Sequence, residues 1–254
     1  MNNKIVVIGG TGLIGSKLIK KMTERGYEAV AAAPNMGVNT LTGEGLAEAL
    51  KHASIVVDVS NSPSFEEKTV MEFFQTSTRN LLSYGAKAGV GHHVALSVVG
   101  TERLGESPYI RAKVAQEKLI KQSGMPYSIV HATQFFEFVN RIADEATHGN
   151  QVCVPSAFIQ PIAAEDVAEA VAKVAVGPPL NGMVEVAGPE RFQFAEFIRR
   201  GLRAHNDSRE VVVDPNAPYF GARLSELSLV ASGEARIGET RFEKWLSSGL
   251  SSRK

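Results

Sequence analysis

This sequence has little of several features that mark large classes of protein. Its single cysteine, Cys153, excludes an internal disulfide and favours a reducing compartment. Lysines plus arginines number 27, as do aspartates plus glutamates, so no net charge points to nucleic acid or an anionic membrane. No apolar run approaches a membrane span, and the N-terminal one is too short for a signal peptide. We expect a cytoplasmic protein that binds neither membranes nor nucleic acid.

Two further absences concern metals and repeats. None of the six histidines stands at a metal-ligand spacing from a cysteine or carboxylate, so we predict no metal site. There are no internal repeats, and nothing in the sequence indicates the oligomeric state. The hydrophobic fraction of 44% and the charged fraction of 21% are typical of a chain that buries a sizeable core.

The most informative stretch that is present is KIVVIGGTGLIGS, residues 4–16. A short apolar run, typical of a buried strand, ends at a glycine. An amphipathic helix begins directly afterwards, because Ile14, Leu18 and Met22 recur four residues apart. Between strand and helix, glycine stands at every third position.

Each of these glycines meets a need of a turn that binds a pyrophosphate. Gly9 permits a tight turn, Gly12 lets the backbone approach the phosphates, and Gly15 lets helix and strand pack closely. The N–H groups and the dipole of the first helical turn attract an anion. The spacing G-x-x-G-x-x-G departs from the commoner G-x-G-x-x-G, yet its place between strand and helix predicts a dinucleotide site rather than an ordinary turn. The predicted contacts are Gly9, Thr11, Gly12, Leu13, Ile14 and Gly15.

Strands and helices are predicted to alternate along the chain. Beyond the first unit, strands are expected over residues 28–33, 38–42 and 54–60, and helices over about 66–87, 108–122 and 135–147. This alternation predicts an α/β protein with a doubly wound parallel sheet and a ligand crevice at the carboxyl ends of the strands. We expect a dinucleotide-binding domain over residues 1–154. A smaller α/β substrate lobe, residues 155–254, is expected to lie over the cleft and to share elements with the main sheet.

A second informative stretch is ALSVVGTERLGESPYIRAKVAQ, residues 95–116. Ser97 ends a predicted strand, and Tyr109 and Lys113 share one face of a predicted helix. A phenol with an ordinary pKa near ~10 is a poor acid–base group at neutral pH, but a neighbouring ammonium lowers that pKa. The pattern predicts that Tyr109 protonates a carbonyl oxygen to which Ser97 hydrogen-bonds. Lys113 is expected to supply the charge and to contact the nicotinamide ribose; the alternative is a structural tyrosine beside a surface lysine.

Three further motifs are HATQFFEF (131–138), PIAAEDVAEAV (161–171) and NGMVEVAGPE (181–190). With GGTGLIG, Ser97 and Tyr109-x-x-x-Lys113, they resemble the atypical, NmrA-like branch of the short-chain dehydrogenase/reductase superfamily, as far as about residue 205. The resemblance implies a Rossmann-type sheet, a nicotinamide cofactor and a catalytic trio of Ser97, Tyr109 and Lys113. It also implies cofactor contacts in two more loops, at Ser60, Asn61, Ala132, Thr133 and Phe135.

The choice between NAD and NADP depends on the end of the second strand. A carboxylate there would bind the adenosine ribose and repel a 2′-phosphate. This chain instead offers the neutral residues Ala32, Ala33, Pro34 and Asn35, and Lys17 could reach a phosphate. We therefore expect NADP rather than NAD, with Asn35 among the cofactor contacts.

Three functions remain open at this point. The first is an NAD(P)H-dependent oxidoreductase that reduces a small carbonyl or quinone-like substrate, which the intact Ser/Tyr/Lys spacing favours. The second is a non-catalytic NAD(P)-sensing regulator of the NmrA type. The third is a nucleotide-sugar epimerase or dehydratase. Against it, the C-terminal part shows no obvious basic cluster for a second pyrophosphate, unless Arg199, Arg200 and Arg203 form one.

Overall fold

The computed structural model describes residues 3–251. The strands are β1 (Lys4–Ile8), β2 (Glu28–Ala32), β3 (Ile55–Asp58), β4 (His92–Val98), β5 (Tyr127–Ala132), β6 (Thr147–His148), β7 (Gln151–Val154), β8 (Phe158–Ile159), β9 (Gly182–Ala187), β10 (Phe192–Gln193), β11 (Glu210–Val213) and β12 (Arg236–Ile237). The α-helices are α1 (Leu13–Glu24), α2 (Leu46–Leu50), α3 (Glu67–Ala88), α4 (Pro108–Gln122), α5 (Val139–Glu145), α6 (Ala164–Val176), α7 (Phe194–Ala204) and α8 (Phe242–Ser251).

Within residues 3–251, seven strands form one sheet in the order β12-β9-β5-β4-β3-β1-β2. Neighbours such as β1–β2, β1–β3 and β3–β4 are parallel, with Val6 of β1 opposite Val30 of β2 and Val56 of β3. Parallel strands buried on both faces read as continuous apolar runs, which is why the run in β1 is wholly apolar after Lys4. The predicted α/β class with a Rossmann-type parallel sheet is confirmed.

The chain divides into two compact units. The first holds the described residues up to Ser97, Pro108–His131 and Val167–Val184. One of its apolar clusters packs α2 and α3 against β1 and β3, through Leu46, Leu81 and Val56.

The second unit holds Val98–Ser107, Ala132–Asp166 and the described residues from Glu185 onward. A small mixed sheet pairs β7 with β6 antiparallel and with β11 parallel. Phe242 of α8 packs on Phe136 and Phe197, with ring centroids 4.9 and 4.8 Å away. The predicted functional division into residues 1–154 and 155–254 stays a prediction.

Two predicted elements differ from the structure. Residues 38–42 form an irregular segment with turns rather than a strand. One reason is that the Asn39 side chain accepts a hydrogen bond from the N–H of Leu41, and another is that Gly43 and Gly45 adopt positive φ angles. The predicted helix over 135–147 is a 3-10 turn (Phe136–Phe138) followed by α5. The Phe136 N–H bonds to the carbonyl of Ile162 instead of starting a regular helix.

Among residues 3–251, no helix is both long and apolar enough to cross a bilayer.

Gly15 is a position of the glycine turn that leaves no room for a side chain. An added Cβ would lie 2.1 Å from the carbonyl oxygen of Gly9 and 2.6 Å from Cα of Gly10, both rigid backbone atoms. We expect Gly15→Ala to lower the free energy of unfolding by about 1–3 kcal/mol, measured by urea denaturation. Gly233→Ala, where no atom lies within 4 Å of the added Cβ, should change it by less than about 0.5 kcal/mol. Equal effects would contradict this account of the turn.

Candidate functional site

The turns that follow β1 and β3 meet at the point where the strand order reverses. β1 lies between β2 and β3 in the sheet, so the chain moves to one side after β1 and to the other after β2. In open α/β sheets, ligands bind outside the carboxyl ends of the strands at such a point. The close approach of the two turns is measurable, because a Cβ added at Gly9 would lie 2.9 Å from Cα of Ser60. Gly9 itself has φ +76°, which favours glycine.

The N-terminus of α1 is open toward solvent. Its N-cap, Gly12, provides no side-chain cap for the N–H groups of the first turn, to which Leu13 and Ile14 belong. A Cβ at Gly12 would have only the Gly9 carbonyl oxygen within 4 Å, at 3.3 Å. The Thr11 hydroxyl donates to Oδ1 of Asn35 over 3.3 Å and so links this turn to the loop after β2. Backbone donors and free space therefore coincide where the sequence predicts a pyrophosphate.

A buried carboxylate fixes the turn after β3. Asp58, the last residue of β3, accepts hydrogen bonds at Oδ1 from the backbone N–H of Ser60 at 3.0 Å and from its hydroxyl at 2.6 Å. Oδ1 of Asn61 accepts the N–H of Ser62 at 3.0 Å. These bonds hold residues 60 and 61, both predicted cofactor contacts, in one conformation beside the glycine turn.

The ammonium of Lys113 is buried, with 2% of the residue exposed. Nζ donates to the carbonyl oxygen of Leu96 at 2.8 Å and to Oε1 of Gln116. It also lies 4.4 Å from the ring centroid of Phe74, in the geometry of a cation–π contact. The ammonium therefore has two hydrogen-bond acceptors and an aromatic ring as partners within the protein. Contact with a ribose hydroxyl would require one of these partners to give way.

Tyr109 lies one turn before Lys113 on α4. Its ring packs against Phe65 and Phe74, with centroids 5.3 and 5.9 Å apart, so Phe74 contacts both residues. Burial lowers the pKa of Lys113 to about 8, while the charge of Asp58 raises it. At neutral pH the side chain is thus mostly a cation, which is the form that stabilises a phenolate.

Ser97 belongs to a second polar cluster beneath α4. Its hydroxyl donates to Oε1 of Glu117 at 2.7 Å, and the same oxygen lies 2.9 Å from Nε2 of His131. Lys121 contacts the other carboxylate oxygen at 3.2 Å. Burial raises the pKa of Glu117, but the contacts with His131, Ser97 and Lys121 outweigh it and lower that pKa to about 2. The proton of Ser97 therefore points at a carboxylate.

In the second unit, the loop after β5 contains buried polar atoms that need partners. Ala132 ends β5, and Phe135 stacks on Phe138. Oγ1 of Thr133 and Oε1 of Gln134 are buried and have no hydrogen-bond partner in the described part of the chain, residues 3–251. Such groups are uncommon and cost about 1–3 kcal/mol each. They favour a polar ligand or water at this loop.

A family model described as NAD(P)H-binding matches residues 9–178. This chain belongs to that NAD(P)H-binding family. The match begins at the glycine turn and includes α4 and the loop after β5. The glycine turn fits the dinucleotide that the family name implies, since the open N-terminus of α1 offers donors to phosphates.

Two relatives have informative names. The chain is 24% identical over 147 residues to the photosystem II assembly factor Ycf39 of Cyanophora paradoxa, which covers 52% of this chain and 46% of that protein. It is 24% identical over 227 residues to the chloroplastic divinyl chlorophyllide a 8-vinyl-reductase of Cucumis sativus, covering 74% of this chain and 53% of the reductase. The match thus spans about half the length of each relative.

Solved structures of similar fold cover nearly the whole chain. MoeE5 in complex with UDP-glucuronic acid and NAD has a TM-score of 0.76 at 16% identity, over 98% of this chain and 99% of that one. The UDP-glucose 4-epimerase of Thermus thermophilus in complex with NAD has a TM-score of 0.70 at 19% identity, over 96% of both chains. At such identities the likeness concerns the fold.

This chain has two buried polar residues on α4 that the sequence analysis did not identify. Gln116 and Glu117 follow Lys113 by three and four positions on α4 and are almost fully buried. A usable signal was present, because residues at these spacings share the face of Lys113. Their partners lie within apolar strands of the sheet: Asp58 accepts from Gln116, and His131 contacts Glu117. Among residues 3–251, no three His, Cys, Asp or Glu side chains are grouped to hold a metal ion.

The lowered pKa of Glu117 predicts a stability effect at acid pH. A carboxylate whose pKa is lower in the folded chain stabilises the fold above its unfolded pKa, and this contribution is lost as pH falls through the folded value. We expect the stability difference between wild type and Glu117→Gln to be constant above about pH 5 and to shrink between about pH 4.5 and 2. Urea denaturation at each pH measures it. Glu48→Gln, at an exposed position of α2, should show no such trend, and a pH-independent difference for Glu117→Gln would contradict the assignment.

Proposed function

We propose that this chain is an NAD(P)H-dependent oxidoreductase that reduces a small carbonyl or quinone-like substrate, as an atypical short-chain dehydrogenase/reductase of the NmrA-like branch. The single observation that carries the proposal is that the Tyr109 ring and the buried ammonium of Lys113 both contact Phe74, at 5.9 and 4.4 Å from its ring centroid. A bound nicotinamide supplies the hydride in this chemistry.

The residues of this chain divide the remaining work. Tyr109 gives its phenol proton to the substrate oxygen, and the charge of Lys113 stabilises the phenolate that remains. Since Lys113 is held by Leu96, Gln116 and Phe74, it acts on the phenol through its field. Ser97 assists as a donor to the substrate oxygen only if its hydroxyl turns away from Glu117.

A non-catalytic NAD(P)-sensing protein is the second candidate. The observation that favours it is the bond from Ser97 to Glu117, which leaves the hydroxyl proton committed within the protein. The likeness to assembly factors named Ycf39 agrees with a role in which cofactor binding does not lead to turnover. A protein that binds NADPH but reduces none of a panel of aldehydes, ketones and quinones would support this candidate.

The epimerase or dehydratase alternative is less favoured, because two of the arginines considered for a second pyrophosphate already have partners in the protein. Arg200 contacts Glu196 at 2.7 Å and Glu243 at 3.2 Å, and Arg199 donates to the carbonyl oxygen of Val211 at 3.0 Å. Two of the three candidates thus have partners in the protein. We therefore prefer the reductase.

Removal of either member of the Tyr109–Lys113 pair should abolish reduction while leaving cofactor binding intact. We expect Tyr109→Phe and Lys113→Met to lower the kcat for reduction of a quinone or carbonyl substrate by about 10²–10⁴, because acid–base catalysis contributes that factor. NADPH oxidation at 340 nm measures turnover, and nicotinamide fluorescence measures binding. Tyr27→Phe and Lys118→Met are the matched controls. Wild-type turnover in both site variants would contradict the proposed mechanism.

The neutral loop after β2 predicts a preference for NADPH over NADH. We expect Asn35→Asp to reverse or abolish this preference, because a carboxylate there repels the 2′-phosphate and binds the ribose hydroxyls. Fluorescence titration with each nucleotide gives the ratio of dissociation constants. Asn181→Asp, distant in sequence from the loop, should keep the wild-type ratio. Unchanged preference in Asn35→Asp would show that residue 35 does not face the ribose.

A further inference from the structure

A continuous chain of hydrogen bonds joins the turn after β3 to the buried lysine of α4. Ser60 donates to Oδ1 of Asp58, while Oδ2 of Asp58 accepts from Nε2 of Gln116 at 3.0 Å. Oε1 of Gln116 accepts from Nζ of Lys113. Asp58, Gln116 and Lys113 are each no more than 2% exposed, so bulk water does not reach the two links between them.

The direction of every link follows from the carboxylate at its centre. An ionised carboxylate only accepts, so Asp58 requires Gln116 to present its NH₂ group. The amide oxygen of Gln116 must then face the other way, toward Lys113, where it accepts from the ammonium. Reversal of this amide would place donor against donor at Lys113. Asp58 thus determines the orientation of a side chain that it shares with Lys113.

We propose that Asp58 and Gln116 are positioning residues that hold the Lys113 ammonium beside Tyr109 and connect it to the Ser60 turn. This inference rests on the proposed function, in which Lys113 tunes the phenol and the Ser60 turn contacts the cofactor. Asp58 has two separable roles: through Ser60 it orders the cofactor turn, and through Gln116 it orients the lysine. Gln116 has only the second role.

The titratable groups around Lys113 come from three elements: β3, α4 and β4. Asp58 on β3 and Glu117 on α4 both stabilise the ammonium, and His93 on β4 interacts with the charge of Asp58. Burial lowers the pKa of His93 to about 4, so this histidine is neutral at pH 7 and leaves the charge of Asp58 to act on Lys113. Nζ of Lys113 also lies against the ring of Phe74 on α3, which carries no charge.

The test compares Asp58→Asn, Gln116→Met and Ser60→Ala in two readouts that need no substrate. The first is the ionisation of Tyr109, obtained as the difference in ultraviolet absorbance titration between each protein and its Tyr109→Phe counterpart. The second is the dissociation constant of NADPH from nicotinamide fluorescence. Gln122→Leu, at an exposed position of α4, and Asp214→Asn in the second unit are controls, and circular dichroism establishes that each variant is folded.

We expect a distinct pattern for each residue. Asp58→Asn and Gln116→Met should raise the pH at which Tyr109 ionises, because the ammonium loses an acceptor or a neighbouring anion. Ser60→Ala and Asp58→Asn should weaken NADPH binding about five-fold, equivalent to one hydrogen bond, while Gln116→Met should not. The double variant Asp58→Asn with Gln116→Glu reverses the bond between the two residues, so that residue 58 donates and residue 116 accepts from both residue 58 and Lys113, and it should recover the titration of Tyr109.

The outcomes separate this inference from the proposed function. If Tyr109 of the wild type ionises at an ordinary pKa near ~10, the proposed tuning of the phenol is wrong. If it ionises well below that value in wild type and equally in folded Asp58→Asn and Gln116→Met, the positioning role is overturned and the reductase proposal stands. Failure of the double variant to recover the titration, when both single variants raise it, would also overturn the chain of bonds proposed here.

Discussion

A positive charge buried beneath α4 imposes the constraint on which the site depends. An ammonium removed from water must find opposite charge and hydrogen-bond acceptors, or it loses its proton. Lys113 finds a backbone carbonyl, an amide oxygen and an aromatic ring, and its remaining stabilisation comes from the charges of Asp58 and Glu117. The buried carboxylate of Asp58 on the facing strand β3 is therefore explained by this one charge.

The same face of the sheet carries two polar clusters of different construction. One runs from Ser60 through Asp58 and Gln116 to Lys113, and the other joins Ser97, Glu117 and His131. Adjacent residues of α4, Gln116 and Glu117, serve one cluster each. The first connects a predicted cofactor turn to the lysine, whereas the second holds the hydroxyl of Ser97 within the protein. This contrast makes Tyr109 and Lys113 stronger candidates for chemistry than Ser97.

Much of the fold could be predicted because its signals are local. The start of α4 was expected from Pro108 at its first position, and the glycine turn predicted a dinucleotide site, in agreement with the NAD(P)H-binding family that matches residues 9–178. The strand expected at residues 38–42 was wrong, since the Asn39 side chain competes with the ladder for backbone N–H groups. Gln116 and Glu117 were missed because polar residues on a helix are ordinarily assigned to solvent.

The sequence by itself determined the alternation of strands and helices in the first half of the chain, the helix N-terminus after Gly12, and the shared helix face of Tyr109 and Lys113. These follow from spacings of a few residues, which backbone geometry converts directly into position. Only the tertiary structure decided which partners the buried polar groups take. Asp58 meets Gln116 across 58 positions and Ser97 meets Glu117 across 20, because sheet order and helix packing, rather than local spacing, bring these side chains together.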